Sequence, residues 1–203
     1  MGDMLLIRHG ETEWNRLHKY QGTSDIPLNA KGIEQAQKAA IDVGLYLKDQ
    51  GIMSNHGADA NIANDVVLYA STLSRARMTA EIIGEVIRVD VRLDERLREI
   101  HFGLWEGLTF NEVYEQYREA FDQWYANPME HAAHGGETLS EVLVRSKAAL
   151  AEIRERHAEA TIIVVAHGGV IKTLLHHIRP EYELWNQQVA PCSITNIGVF
   201  PGK

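Results

Sequence analysis

The chain has 203 residues, of which 45% are hydrophobic and 24% charged, with a formal net charge of −8. That length supports one domain with a substantial core, and the composition is that of a soluble globular protein. The acidic balance argues against a nucleic-acid surface, which needs a basic stripe, and the clearest apolar run, Ile162–Ala166, is far too short to cross a bilayer. An anionic small substrate is still compatible with this charge, because a few buried arginines can make a positive pocket in an acidic protein. The single cysteine, Cys192, excludes an internal disulfide. The N-terminus MGDMLLIRHG lacks the basic and cleavable apolar regions of a leader, so the expected compartment is the cytoplasm.

In chain order, Met4–Ile7 reads as a short buried strand. Lys31–Gln50 reads as a helix, with Ile33, Ala36, Ala40, Val43 and Leu47 on one face. Asp49–Asn64, rich in glycine and asparagine, reads as an exposed loop, and Asp65–Ala70 as a second strand. Leu73, Ala76, Ala80, Ile83 and Ile87 mark another amphipathic helix, and Val89–Leu93 a short strand. Phe102 to Tyr125 holds eight of the fifteen aromatics, which predicts a helical subdomain with its own small core, a lid over a site, or both. Residues 100–135 are assigned to that lid within a single domain spanning 1–203. Leu139 to Ile153 is a long helix opened by a capping box from Thr138 to Glu141. Thr161–Ala166 is the strongest strand, Gly169–His177 is helical, and Ile194–Phe200 is a last strand. Apolar strands alternating with helices predict an α/β fold, a three-layer sandwich with a mostly parallel central sheet and helices on both faces. In such sheets chemistry collects at the carboxyl ends of the strands. Arg8-His9, Ser71–Arg77 and His167 all lie at such ends.

Arginine presents a planar fork to phosphate or carboxylate, and neutral histidine offers a ring nitrogen as nucleophile, base or metal ligand. A metal site is the first competitor. The ten histidines show no HExxH spacing and no pairing with cysteines, and an arginine beside His9 would repel a cation. No metal is therefore expected.

LIRHGETEWN (Leu6–Asn15) resembles the signature of the histidine phosphatase superfamily, also called phosphoglycerate mutase-like. The likeness continues through QGTSDIPLNAKGIEQA (Gln21–Ala36), YASTLSRARMTAEII (Tyr69–Ile83), LREIHFGLWEG (Leu97–Gly107), VVAHGGVIKTLL (Val164–Leu175) and PCSITNI (Pro191–Ile197). The six motifs are in order, and the resemblance runs nearly end to end. The resemblance implies that His9 attacks phosphorus and becomes a phosphohistidine, and that Arg8, Arg75 and His167 surround the phosphoryl oxygens. It implies that Glu99 protonates the leaving oxygen, with its carboxyl kept protonated by burial or by the incoming phosphate. Asn15 and the Gln21-Gly22 turn would add hydrogen bonds, and Gly10 and Gly168 would let the main chain come close. Thr12 either touches phosphate or caps the following turn. Glu95 and Glu106 are competing carboxylates, Lys172 reads as a helix-surface residue, and Cys192 as a small buried one.

Within the family, a phosphatase passes the phosphoryl group to water. A cofactor-dependent mutase returns it to a bound isomer and needs a second anion site. From Ile100 to Gly135 the basic residue available for that is Arg118, and FGLWEG looks more like the phosphatase branch. The expected activity is that of a histidine acid-type phosphatase, a phosphoric monoester hydrolase acting on a small phosphorylated metabolite without a cofactor. Phosphoglycerate mutase is the alternative, and a non-catalytic phosphate- or protein-binding domain the further one. No nucleic-acid or membrane partner is expected, and a homodimer is left open.

Overall fold

Alternate strand residues sort to opposite faces of the sheet, as a pleated strand with period two demands. The computed structural model describes residues 2–53, 62, 65–181 and 183–198. Its elements are β1 (Met4–Arg8), a single turn α1 (Glu13–Arg16), α2 (Ala30–Asp49), β2 (Val66–Ala70), α3 (Ser74–Ile87) and β3 (Val91–Leu93). They continue with α4 (Phe110–Gln116), α5 (Arg118–Ala126), α6 (Leu139–Arg156), β4 (Thr161–Ala166), α7 (Gly168–Ile178) and β5 (Ile194–Asn196). The strand order is β3-β2-β4-β1-β5. The first four strands are parallel and β5 runs antiparallel to β1.

Leu5 and Ile7 of β1 join Ile163 and Val165 of β4 in the core under α2 and α3. Met4 and Leu6 join Ile162 and Val164 in the core under α6 and α7. Both faces are covered, so every residue of β2 and β4 is buried. The expected three-layer α/β arrangement is the one observed. The helix ends obey local chemistry: Asn29 caps α2 on Gly32 N–H, and Thr138 and Glu141 form the expected capping box of α6.

Two expectations need correction. The 49–64 stretch is not simply an exposed loop: Asp49 closes α2, Ile52 and Met53 pack on the α2–α3 core, and Ile62 is buried. Three apolar side chains in a polar stretch find the nearest apolar edge; residues 54–61, 63 and 64 lie outside the described residues. The last strand is also shorter than Ile194–Phe200. It ends at Asn196, whose side chain accepts Gly198 N–H (2.7 Å), with Gly198 in the left-handed region (φ 65°), and residues 199 and 200 are outside the described residues. The aromatic segment forms a third small core of Trp105, Val113, Phe121, Trp124 and Ala133 around α4 and α5.

Candidate active site

Register brings the strand ends level. Arg8 pairs with Ala166, and Ala70 with Val165, so His9, His167 and Ser71 follow three neighbouring strands at one edge of the sheet. His9 is held by its N–H to the Ala166 carbonyl (3.0 Å), and its ring centroid lies 5.1 Å from that of His167. His9 Nδ1 sits 2.6 Å from the Gly10 carbonyl oxygen. A carbonyl only accepts, so Nδ1 carries the proton and Nε2 keeps its lone pair. His167 Nε2 lies 2.8 Å from Ser71 Oγ, while its Nδ1 is buried without a protein partner.

Both imidazoles are driven to the neutral form. Burial lowers the affinity of His9 for a second proton to well below the usual 6.5, and the charges of Arg75 and Arg8 add to it; the Gly10 bond opposes this weakly. Burial does the same to His167, reinforced by Arg75 and by His9. Cys192, by contrast, is left inert, because burial pushes its thiol up to about 12.

Arg75, the second residue of α3, is fully buried. Its fork is fixed on two carbonyls, Nη1 to Ser24 O (2.8 Å) and Nη2 to Gly22 O (2.7 Å). Arg8 donates Nη1 to Val189 O (2.7 Å). The Nε atoms of Arg8 and Arg75 and the Nδ1 of His167 are all buried without protein partners. A buried donor left this way costs about 1–3 kcal/mol unless a ligand accepts from it, and an oxyanion can accept from both arginines and, when Nδ1 carries the proton, from His167.

The loop that orients Arg75 depends on Glu106. That carboxylate accepts Thr23 N (2.9 Å), Ser24 N (2.9 Å), Ser24 Oγ (2.5 Å) and Phe102 N (3.2 Å). Burial alone would push its carboxyl up, but these bonds from Ser24, Thr23 and Phe102 hold it below the usual range. Gly22 stands at φ +53°, and a Cβ there would lie 2.1 Å from Glu106 Oε1. Glu106 is thus a scaffold residue rather than a rival acid.

Glu99 follows a 3-10 turn at Glu95–Leu97 and points to the start of α7. Its carboxylate accepts Gly169 N (3.1 Å), Val170 N (3.3 Å) and Ile100 N (3.0 Å). Its main-chain carbonyl accepts from Arg145 Nη2 (3.1 Å), which also binds Glu137, while Arg145 Nη1 takes the carbonyls of Arg96 and Arg98. One half-buried guanidinium therefore clamps the strap that carries Glu99.

Several site expectations change in detail. Gly10 is required by packing against α2, since a Cβ would meet Gly32 O at 2.4 Å, and its N–H bonds to Thr79 Oγ1 (3.1 Å). Gly168 has ordinary room, with a Cβ 3.5 Å from Arg8 Nε, whereas one on Gly169 would strike Glu99 Oε1 at 2.5 Å. The tight glycine of the pair is the second. Thr12 takes the capping alternative: it forms a box with Asn15, and its hydroxyl donates to Gln21 Oε1 (2.7 Å). Among the described residues Thr12, Asn15 and Gln21 bond to one another, not to His9, Arg8 or Arg75.

A cavity of about 720 Å³ opens from Arg8, Glu99 and Gly168 and is walled by Tyr20 and by Phe102, Trp124 and Tyr125 of the segment expected as a lid. One contributor was not foreseen, residues 184–190, including Trp185 stacked on Tyr125 (4.8 Å), and Lys172 of α7, expected on the helix surface, instead lines the cavity half-buried. The 184–190 segment carries no periodic or motif signal, and the pattern around Lys172 gives only a helix. Among the described residues no three His, Cys, Asp or Glu side chains gather as a metal site would need.

Comparison with known proteins assigns the family. The family model described as histidine phosphatase superfamily (branch 1) matches residues 4–203. The chain is 35% identical over 167 residues to phosphoserine phosphatase 1 of Hydrogenobacter thermophilus, covering 82% of this chain and 71% of that protein. It is 36% identical over 200 residues to phosphoglycerate mutase-like protein 4 of Arabidopsis thaliana, covering 98% and 78%. The structure of a mycobacterial glucosyl-3-phosphoglycerate phosphatase in complex with VO3 superposes with a TM-score of 0.79 at 29% identity, covering 97% of this chain and 92% of that one. The chain belongs to branch 1 of the histidine phosphatase superfamily.

Proposed function

We propose that this protein is a metal-independent phosphomonoester hydrolase that works through a phosphohistidine on His9. The observation that carries the reading is the bond from His9 Nδ1 to Gly10 O, which leaves Nε2 as a fixed, unprotonated nucleophile. Nε2 attacks phosphorus, the phosphorus–oxygen ester bond breaks, and Glu99 gives its proton to the leaving oxygen. Water then attacks the phosphohistidine, Glu99 takes the water proton, and inorganic phosphate leaves. Arg8, Arg75 and His167 face the equatorial oxygens, where charge is spread in the transition state. With Ser71 donating to Nε2, His167 carries its proton on Nδ1, the tautomer an oxyanion needs. Because burial and two arginines keep His9 neutral far below 6.5, the attack step persists in acid, which supports the acid-type assignment.

The mutase alternative would need further cations in the lid. Arg118 instead stacks on Tyr114 (4.1 Å) and pairs with Asp122 (3.2 Å). Relatives named as phosphoserine and glucosyl-3-phosphoglycerate phosphatases favour small acidic metabolites as substrates. The net charge of −8 opposes nucleic acid, no helix among the described residues is long and apolar enough to cross a membrane, and we place the enzyme in the cytoplasm.

The test is phosphate release from an aryl phosphate in EDTA, beside trapping of labelled phosphoenzyme. Activity persists in chelator, and acid-labile label appears in the wild type and not in His9→Ala. Label surviving that substitution would mean another nucleophile, and interconversion of phosphoglycerates outpacing phosphate release would mean a mutase.

A further inference from the structure

The cavity is lined by Arg8, Glu99 and Gly168 but not by His9, Arg75 or His167, so it lies beside the phosphoryl position and is room for the leaving group. Its lining contains two cations, Arg8 and Lys172. The first is accounted for by the phosphoryl oxygens. Lys172 is not. It sits in the first turns of α7, four residues after Gly168, and is half-buried. Among the described residues it makes no ion pair. The carboxylate nearest in charge, Glu99, is already taken by three main-chain N–H groups. Burial and the neighbouring Arg8 both work against its ammonium, and only Glu99 works for it. A cation held in a cavity beside a second cation is stabilised when a ligand supplies the missing anion.

We infer that Lys172 reads a carboxylate on the leaving group, so that the site selects phosphomonoesters of small hydroxy or amino acids over those of neutral alcohols. The inference rests on the hydrolase reading. One ammonium matches one carboxylate; a second phosphate dianion would call for more cations than the lining holds. Lys172 lies about one helical turn, roughly 6 Å along the axis, from Gly168, the glycine beside Arg8. A carboxylate two or three atoms from the ester oxygen meets it there, while Tyr20, Phe102 and Trp124 cover the rest of the molecule.

The experiment compares kcat/KM for O-phosphoserine and 3-phosphoglycerate with that for phosphoethanolamine and glycerol 3-phosphate, which lack the carboxylate. An aryl phosphate checks hydrolysis itself, and the serine and glycerate arms separate amino from hydroxy acids. The wild type prefers the carboxylates at least tenfold. Lys172→Met lowers that ratio ten- to a hundredfold, chiefly through KM, Lys172→Arg keeps most of it, and Lys172→Glu inverts it. A ratio unchanged in Lys172→Met overturns the inference, because the ratio is read within one variant and is insensitive to how much of it folds. A wild type that hydrolyses the aryl phosphate without discriminating overturns it too, and leaves the hydrolase reading standing. No hydrolysis of any ester defeats both.

Discussion

Glu99 is fastened to the first turn of α7 through Gly169, whose N–H reaches Oε2 at 3.1 Å and whose missing Cβ would lie 2.5 Å from Oε1. The position of the Glu99 carboxylate is therefore set by an absence of side chain two residues after His167. A Gly169→Ala substitution should push the carboxylate off its place while leaving both histidines where they are. We expect kcat for a poor leaving group to fall by more than tenfold, on the scale of an acid contribution of about 10²–10⁴, with a smaller loss for an aryl phosphate. Equal losses on the two substrates would argue that the residue acts on phosphate binding instead.

Arg75 holds its fork on the Gly22 and Ser24 carbonyls. Lysine keeps the charge but cannot span two carbonyls and still face phosphate. Arg75→Lys should lower kcat/KM by about 30- to 150-fold, corresponding to roughly 2–3 kcal/mol for charge-assisted bonds. A loss below threefold would show that charge alone suffices there.

The buried histidines make stability depend on pH in a defined direction. In the unfolded chain each titrates near 6.5, and in the fold both are held well below it by burial and by Arg75. Below that pH the unfolded state binds more protons, so stability rises with pH up to about 6.5 and falls as the solution is acidified. Each histidine can contribute up to about 1.4 kcal/mol per pH unit in that window. Urea midpoints between pH 7 and pH 5 should give a slope that becomes shallower in His167→Gln. An identical slope in that variant would mean that other groups dominate.

Glu106→Gln removes the charge that binds the Thr23–Ser24 turn and replaces one accepting oxygen with a donor. Since that turn supplies one of the carbonyls that orient Arg75 and adjoins Gly22, which supplies the other, inhibition by inorganic phosphate should weaken by roughly tenfold, with stability lower by about 1–3 kcal/mol. Unchanged phosphate inhibition, read alongside thermal unfolding, would separate the turn from Arg75.

Much of this was legible in the chain because strand periodicity and histidine-glycine exits are local signals. Met4–Ile7 and Thr161–Ala166 alternate between two cores, so their ends, and hence His9 and His167, follow from hydrophobic pattern alone. Glu106, Gly169 and Arg145 were not legible as supports. Each acts through side-chain bonds to main-chain groups far away in sequence, and no spacing rule encodes such bonds. The preference between Gly168 and Gly169 likewise depends on where the Glu99 side chain arrives. Lys172 falls at a position that reads as helix surface until the 184–190 segment and the lid aromatics close around it.

The Glu106 carboxylate touches both the Thr23–Ser24 turn and the Phe102 amide at the base of the aromatic segment. The anchor of Arg75 and the base of the aromatic segment thus share one knot. A fluctuation that frees the lid at its root also loosens the arginine, so the two regions open as one cooperative unit, and their amide protons should exchange with solvent at a common rate.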